Sequence, residues 1–224
     1  MKFSYPDLEA ESVNNKRYYH TPLGAYPSIT TILGTTMPEE KAKSLENWRQ
    51  SLGPAKADAY SRSRADHGTN VHLLAERFLK GEHVEAPLAN GSPIPHEDLV
   101  AFNALKLKLK KVEEVWGQEV ALFSEHYEVA GRCDLIGVWK NKPVIIDFKT
   151  SARMKSQDDI YDYRLQLAFY GHAHNEMFGT NIEDGVVLMV AANGFPLEFN
   201  FKLAEYFEPL QLRVEEFWIK TLGL

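Results

Sequence analysis

The chain has 224 residues and a single cysteine, Cys133. That excludes an internal disulfide framework, and it equally excludes a four-cysteine iron–sulfur cluster. One free thiol suits a reducing cytosol. No apolar run approaches the ~20 residues needed to cross a bilayer, so no membrane partner is expected. The opening Met-Lys-Phe-Ser-Tyr-Pro has no signal-peptide core. The phosphate-loop pattern G-x-x-x-x-G-K-S/T is absent, so no ATP-driven motor is encoded. Internal repeats, low-complexity tracts and a clear linker are missing too, which leaves one domain over 1–224 as the expectation.

Positive charge is also short. Lys and Arg number 25 against 31 Asp and Glu, for a net charge of −6. A nucleic-acid-binding domain is usually basic, so the total argues mildly against that class. The total is a weak guide where carboxylates hold cations. Between Lys140 and Lys155 the balance reverses: Lys140, Lys142, Lys149, Arg153 and Lys155 face Asp147 alone.

The pattern predicts a mainly helical part over 1–115 and an α/β core over 116–224. Residues 16–27 read as a hairpin or extended arm. Ser28 or Thr30 can cap a short helix. Pro38 fits the first turn of a helix to about Ser51, and Pro54 starts one that runs to about Leu79 and stops at Gly81. Residues 82–95 are loop. A helix is expected from about His96 to Val115, with Phe102, Leu105, Leu109 and Val112 at helical spacing. Val120 to Phe123 is expected as a strand. A hairpin through Gly131 and Asn141 follows, with 143–149 as its most apolar, central strand. An amphipathic helix over 159–178 leads by a right-handed crossover to a parallel strand over Gly185–Ala191. Asn193-Gly194 signals a tight hairpin to Pro196–Phe201, and a last helix covers about 203–221.

The chemistry concentrates in Gly131-Arg-Cys-Asp134 and Asp147-Phe-Lys149. Two aspartates near the tips of paired strands can face each other, and Lys149 shares a side of its strand with Asp147. Two carboxylates and a lysine at one strand end suit a divalent metal that activates water against a phosphate. Hard oxygen donors favour Mg²⁺ or Mn²⁺. Lys149 can serve as a base, if its pKa is depressed, or as a stabiliser of charge on the phosphate. Gln166 and Tyr170, four apart, share a helix face near that strand's tip. Gln166 can orient water or Lys149; Tyr170 can contact a phosphate or the lysine.

Five ordered elements carry a family resemblance: Gly68 to His72, Glu119, Gly131 to Asp134, Asp147 to Lys149, and Gln166 to Tyr170. Together they resemble the PD-(D/E)XK nuclease superfamily in its RecB-type branch. Pro27-Ser28-Ile29-Thr30 and Thr36-Met37-Pro38 extend the likeness to mitochondrial-type and phage-type exonucleases of that branch. The resemblance implies a restriction-endonuclease-like mixed sheet flanked by helices, with the helical N-terminal half as a wall or arch over the site. It implies metal ligation by His72, Asp134, Asp147 and the Phe148 carbonyl, with Glu119 ligating directly, through water, or by orienting a ligand. The implied activity is a metal-dependent DNA exonuclease that prefers single-stranded ends, with partners in replication, recombination or repair. A structure-specific endonuclease and a degenerate binding module are the alternatives. The compact, motor-free build suits a cytoplasmic setting in a bacterium or phage-infected cell.

DNA contacts are expected from several further residues. Ser28 and Thr30 can present backbone N–H groups to a phosphate near a helix start. Tyr18, Tyr19, Tyr26, Trp48 and Tyr60 can stack on unpaired bases. Arg62 and Arg64 precede His72 on its helix, while Arg132 and Arg153 flank the acidic motifs.

Overall fold

The computed structural model describes residues 2–192 and 194–223. Eight strands and six helices run in the order β1 (Ala10–Val13), β2 (Lys16–Thr21), β3 (Gly24–Pro27), α1 (Ile29–Thr35), α2 (Glu39–Leu52), α3 (Pro54–Lys80), α4 (His96–Leu109), β4 (Val112–Ser124), β5 (Val129–Trp139), β6 (Lys142–Ser151), α5 (Tyr161–Phe178), β7 (Asp184–Ala191), β8 (Pro196–Lys202) and α6 (Phe207–Leu222). One five-stranded sheet has the order β4-β5-β6-β7-β8; a second, of three strands, has the order β1-β2-β3. Among the described strands only β6 and β7 form a parallel pair, and α5 makes the crossover between them.

This matches the expected mixed sheet flanked by helices. Two apolar cores sit on its opposite faces. Ile145, Val187 and Met189 join α5 and α6 in one core. Val144, Ile146, Phe148 and Leu188 join α3 and α4 in the other. Alternation along β6 therefore buries both faces, as a central parallel strand requires. Asp147 and Lys149 share their parity with Ile145, so they lie on the α5 side.

The helix expected to reach Val115 ends at Leu109 instead, and β4 starts at Val112, eight residues before the expected strand. Val112 pairs with Trp139 and Val115 with Gly137, so sheet pairing overrides the helical spacing of Val112. The arm at 16–27 is part of the three-stranded sheet, which begins at Ala10. In the expected hairpin at Asn193-Gly194, Asn193 lies outside the described residues; β7 and β8 do pair antiparallel around it. Among the described residues no helix is long and apolar enough to cross a membrane.

Two register shifts interrupt β4 between Val112 and Gly117. Gly137 of β5 lies against them, where an added Cβ would fall 2.2 Å from the Glu114 carbonyl oxygen. That atom is backbone and cannot swing aside. Gly137→Ala should therefore cost about 2–3 kcal/mol of stability, read as a lowered thermal midpoint. An unchanged midpoint would show that β4 yields freely there.

Candidate active site

The sheet opens where the acidic residues stand. The β5–β6 ladder runs from Trp139↔Lys142 to Leu135↔Ile146 and stops. One step further in the same register would set Asp134 opposite Asp147. Likewise, Gln118↔Leu135 and Val120↔Cys133 bracket Glu119 and Asp134. Three acidic residues on three adjacent strands thus fall in one row. At this row Phe148 N–H donates to Asp134 Oδ2 at 2.7 Å, so a side-chain oxygen takes over from the ladder. Cys133 joins the α5-side core while Leu135, two residues on, joins the other, so β5 breaks its alternation at Asp134.

Glu119 has a φ of 49°, in the left-handed region that non-glycine residues rarely adopt. Arg132 holds this backbone: its guanidinium donates to the Glu119 carbonyl at 3.0 Å. Arg132, expected at DNA, is therefore engaged in shaping the row. The side chain of Glu119 turns toward α3, where His72 waits. His72 Nδ1 lies 3.6 Å from Asp134 Oδ2 and 3.9 Å from Glu119 Oε1. On its other side Nε2 donates to the Phe148 carbonyl at 2.7 Å. The ring is fixed by Nε2, while Nδ1 faces the two carboxylates across 3.6 and 3.9 Å. Burial pulls this imidazole down, but Asp134 and Glu119 outweigh it and hold it up at about 9. In the metal-free protein His72 is an imidazolium seated among carboxylates.

Asp147 stands beside that trio. Its carboxylate is 1% exposed, and Lys149 Nζ lies 2.5 Å from Oδ2. Even so, neither oxygen has an aligned hydrogen-bond partner among the described residues. Burial pushes this carboxyl up against the pull of Lys149. Burial likewise pulls the Lys149 ammonium down, but Asp147 and Asp134 hold it up. The depressed pKa that a lysine base requires is absent from this geometry. Tyr163, three residues before Gln166, places its ring 5.1 Å under Lys149 Nζ. Sequence reasoning missed Tyr163, although the i, i+3 spacing to Gln166 marks it for the same helix face.

Gln166 and Tyr170 come together as expected: Gln166 Nε2 donates to Tyr170 Oη at 3.1 Å. Both are buried, Tyr170 to 2% exposure, and a Cβ on Gly131 would lie 2.8 Å from the Tyr170 ring. Tyr170 thus packs beneath the acidic row and does not reach out to a phosphate. Gly131 is glycine because that ring fills its place. Gly68 has no such constraint; a Cβ there would meet Thr150 at an ordinary 3.7 Å.

The donor set fits a divalent cation. His72, Glu119 and Asp134 each offer a ligand atom within 4.8 Å of the others. Asp147 adds two buried oxygens, one of them 2.5 Å from Lys149 Nζ. The Phe148 carbonyl, an expected ligand, is occupied by His72 Nε2.

Other expected contacts are scattered. Ser28 is buried, and its hydroxyl accepts from Thr31 N at 3.0 Å as the cap of α1. Thr30 is exposed and lines a separate polar cleft with Lys16 and Arg17. Arg62 is exposed on α3. Tyr18 is partly buried, while Tyr19 and Tyr26 belong to the small core under the three-stranded sheet. By contrast, Trp48, Tyr60, Arg64, Arg153 and Lys155 line one open groove of about 780 Å³, together with Lys41, Met37 and Leu45. The Trp48 and Tyr60 rings meet edge to face at 5.8 Å. Arg153 also pairs with Asp159.

The raised pKa of His72 sets a pH dependence. A group held at about 9 against an ordinary 6.5 contributes stability fully below 6.5 and loses it as pH rises through 9. The metal-free protein should lose thermal stability across that window, and His72→Ala should abolish the loss. A His72 proton resonance titrating near 6.5 would contradict the imidazolium assignment.

Known proteins agree with this architecture. Residues 45–194 match the PD-(D/E)XK nuclease superfamily model. The mitochondrial genome maintenance exonuclease 1 of Xenopus tropicalis is 26% identical over 88% of this chain and 59% of its own length. The mouse protein is 26% identical over 88% of this chain and 60% of its length, and the human one 27% over 85% and 58%. The chain spans about three-fifths of the length of these curated relatives. They are vertebrate proteins with a mitochondrial name, and they lend nothing to a bacterial or phage setting. A solved structure from Eubacterium rectale, described as a candidate exonuclease, superposes with a TM-score of 0.50 at 13% identity, over 71% of this chain and 68% of the other. That likeness concerns the fold. With the family model covering most of the α/β core and the acidic row, the chain belongs to the PD-(D/E)XK nuclease superfamily.

Proposed function

We propose that this protein is a DNA exonuclease, dependent on Mg²⁺ or Mn²⁺, that hydrolyses phosphodiester bonds from single-stranded ends. The observation that carries the reading is the convergence of three carboxylates, Asp134, Glu119 and the fully buried Asp147, beside His72 at one end of the sheet. Gathering that much negative charge in a largely buried place is costly unless cations compensate it, and Lys149 and His72 face three carboxylates. His72, Glu119, Asp134 and Asp147 would hold the ion; three carboxylates make the set hard enough for Mg²⁺ or Mn²⁺. When bound, it supplies a Lewis acid for the phosphate and a lowered pKa for water.

The chain's own residues supply the rest. Lys149, an ammonium among carboxylates, is placed to stabilise charge that builds on the phosphate. Tyr163 keeps that ammonium over its ring. Gln166 and Tyr170 brace Gly131 and so fix Asp134. The groove beneath α2 and α3 supports single-stranded DNA: Lys41, Arg64, Arg153 and Lys155 suit phosphates, and Trp48 with Tyr60 suits unpaired bases. Its cations stand out in a chain of net charge −6. The exonuclease names of the relatives support cutting from an end. Partners in replication, recombination or repair would follow from the same kinship, and one domain over 1–224 suits a continuous sheet that both halves pack against.

End-labelled linear and circular single-stranded DNA, with Mg²⁺ or Mn²⁺, test this. Only the linear strand should be lost. Lys149→Ala and Asp147→Ala should each slow cleavage by roughly 10²–10³-fold. Cutting of the circle would favour an endonuclease; full activity in Asp147→Ala would refute the site.

The groove is tested separately by anisotropy. Replacing both Trp48 and Tyr60 with Ala should weaken single-strand binding roughly tenfold or more, since each stacked base is worth about 1–3 kcal/mol. Binding as tight as the parent's would remove the groove from the substrate path.

A further inference from the structure

A second cluster lies further along α3 from that groove, sharing Arg64 with it and standing outside the active site. His67 of α3 is 8% exposed and Asp98 of α4 only 1%. His67 Nδ1 meets Asp98 Oδ1 at 2.5 Å, and Asn70 Nδ2 donates to Asp98 Oδ2 at 2.6 Å. The carboxylate therefore fixes the imidazole's orientation, and Nε2 is the nitrogen left for a ligand. A carboxylate behind a histidine is how metal-binding imidazoles are commonly oriented. His67 lines a cavity of about 280 Å³ together with His96, Glu97 and Arg64. His67, Glu97 and Asp98 each offer a ligand atom within 4.8 Å of the others. Two carboxylates against one guanidinium leave the cluster net negative.

We propose that His67, through Nε2, and Glu97 form a second cation site, selective for borderline divalent metals such as Zn²⁺, Co²⁺ or Ni²⁺, with His96 as a further ligand and Asp98 behind the imidazole as its orienting partner. Imidazole donors favour these ions over Mg²⁺, in contrast to the oxygen-rich active site. The ion would tie α3 to α4. Because α3 also carries Arg64 and His72, it would steady the helix from which the catalytic histidine hangs.

The test is Co²⁺ binding to the intact, metal-free protein, followed by visible absorption and equilibrium dialysis. In the Asp134→Asn, Asp147→Asn double variant, which disables the active-site row, one Co²⁺ should still bind and give d–d bands of imidazole ligation. Adding Glu97→Gln, a change at an exposed position, should weaken that remaining ion roughly tenfold or more. Adding His67→Asn should abolish it, with folding checked by circular dichroism. No Co²⁺ bound to the row-disabled protein would overturn the proposal. So would Co²⁺ bound undiminished after both additional substitutions. Neither result bears on the nuclease reading, which the cleavage assays decide.

Discussion

The bond from Phe148 N–H to the Asp134 carboxylate is the contact on which the site depends. It lies where the β5–β6 ladder ends, and it lets the two strands part without orphaning a backbone donor. That parting creates the room in which Asp134, Asp147 and Glu119 stand in a row. An uninterrupted ladder would have closed it. The same bond aims one oxygen of Asp134 at the backbone and leaves its charge beside His72. Two interior strands have been parted at one end and the freed backbone donor reassigned to a side chain, so no buried N–H is left without a partner there.

Around that opening, like charges are held apart by cations supplied from elsewhere in the chain. His72 reaches in from α3 and Lys149 from β6 itself, and both stay protonated because carboxylates surround them. These two positive charges occupy the space that a divalent ion would demand. Arrival of such an ion must displace at least the proton on His72, since an imidazolium cannot ligate. The site as folded thus balances its carboxylates with protonated groups of its own.

Much of this was legible in the sequence, for identifiable reasons. The central strand over 143–149 announced itself by the apolar run Val144-Ile145-Ile146, and parity along it placed Lys149 with Asp147. Gln166 and Tyr170 were legible as partners because i, i+4 spacing survives any packing. What spacing could not reveal was depth. Tyr170 is a buried brace and not a phosphate contact because Gly131 has no side chain to keep it out. Arg132 holds backbone because Glu119 sits in a left-handed conformation that no local pattern marks. Val112 fitted a helix by period, but its cross-strand partner Trp139 lies far along the chain and prevailed. The positive groove was partly visible as a local excess of lysine and arginine; Lys41 joins it only through the fold.

The one parallel pair in the main sheet, β6 with β7, has a consequence for how the protein comes into being. Parallel neighbours cannot be joined by a turn; the whole of α5 must be made and docked before β7 can align. The residues of the acidic row come from α3 and three different strands, and the sheet that positions them is complete only when β7 and β8 are in place. Contacts of such long sequence separation form late. A ribosome still extending this chain would carry the acidic motifs before the strands that complete their sheet have been made.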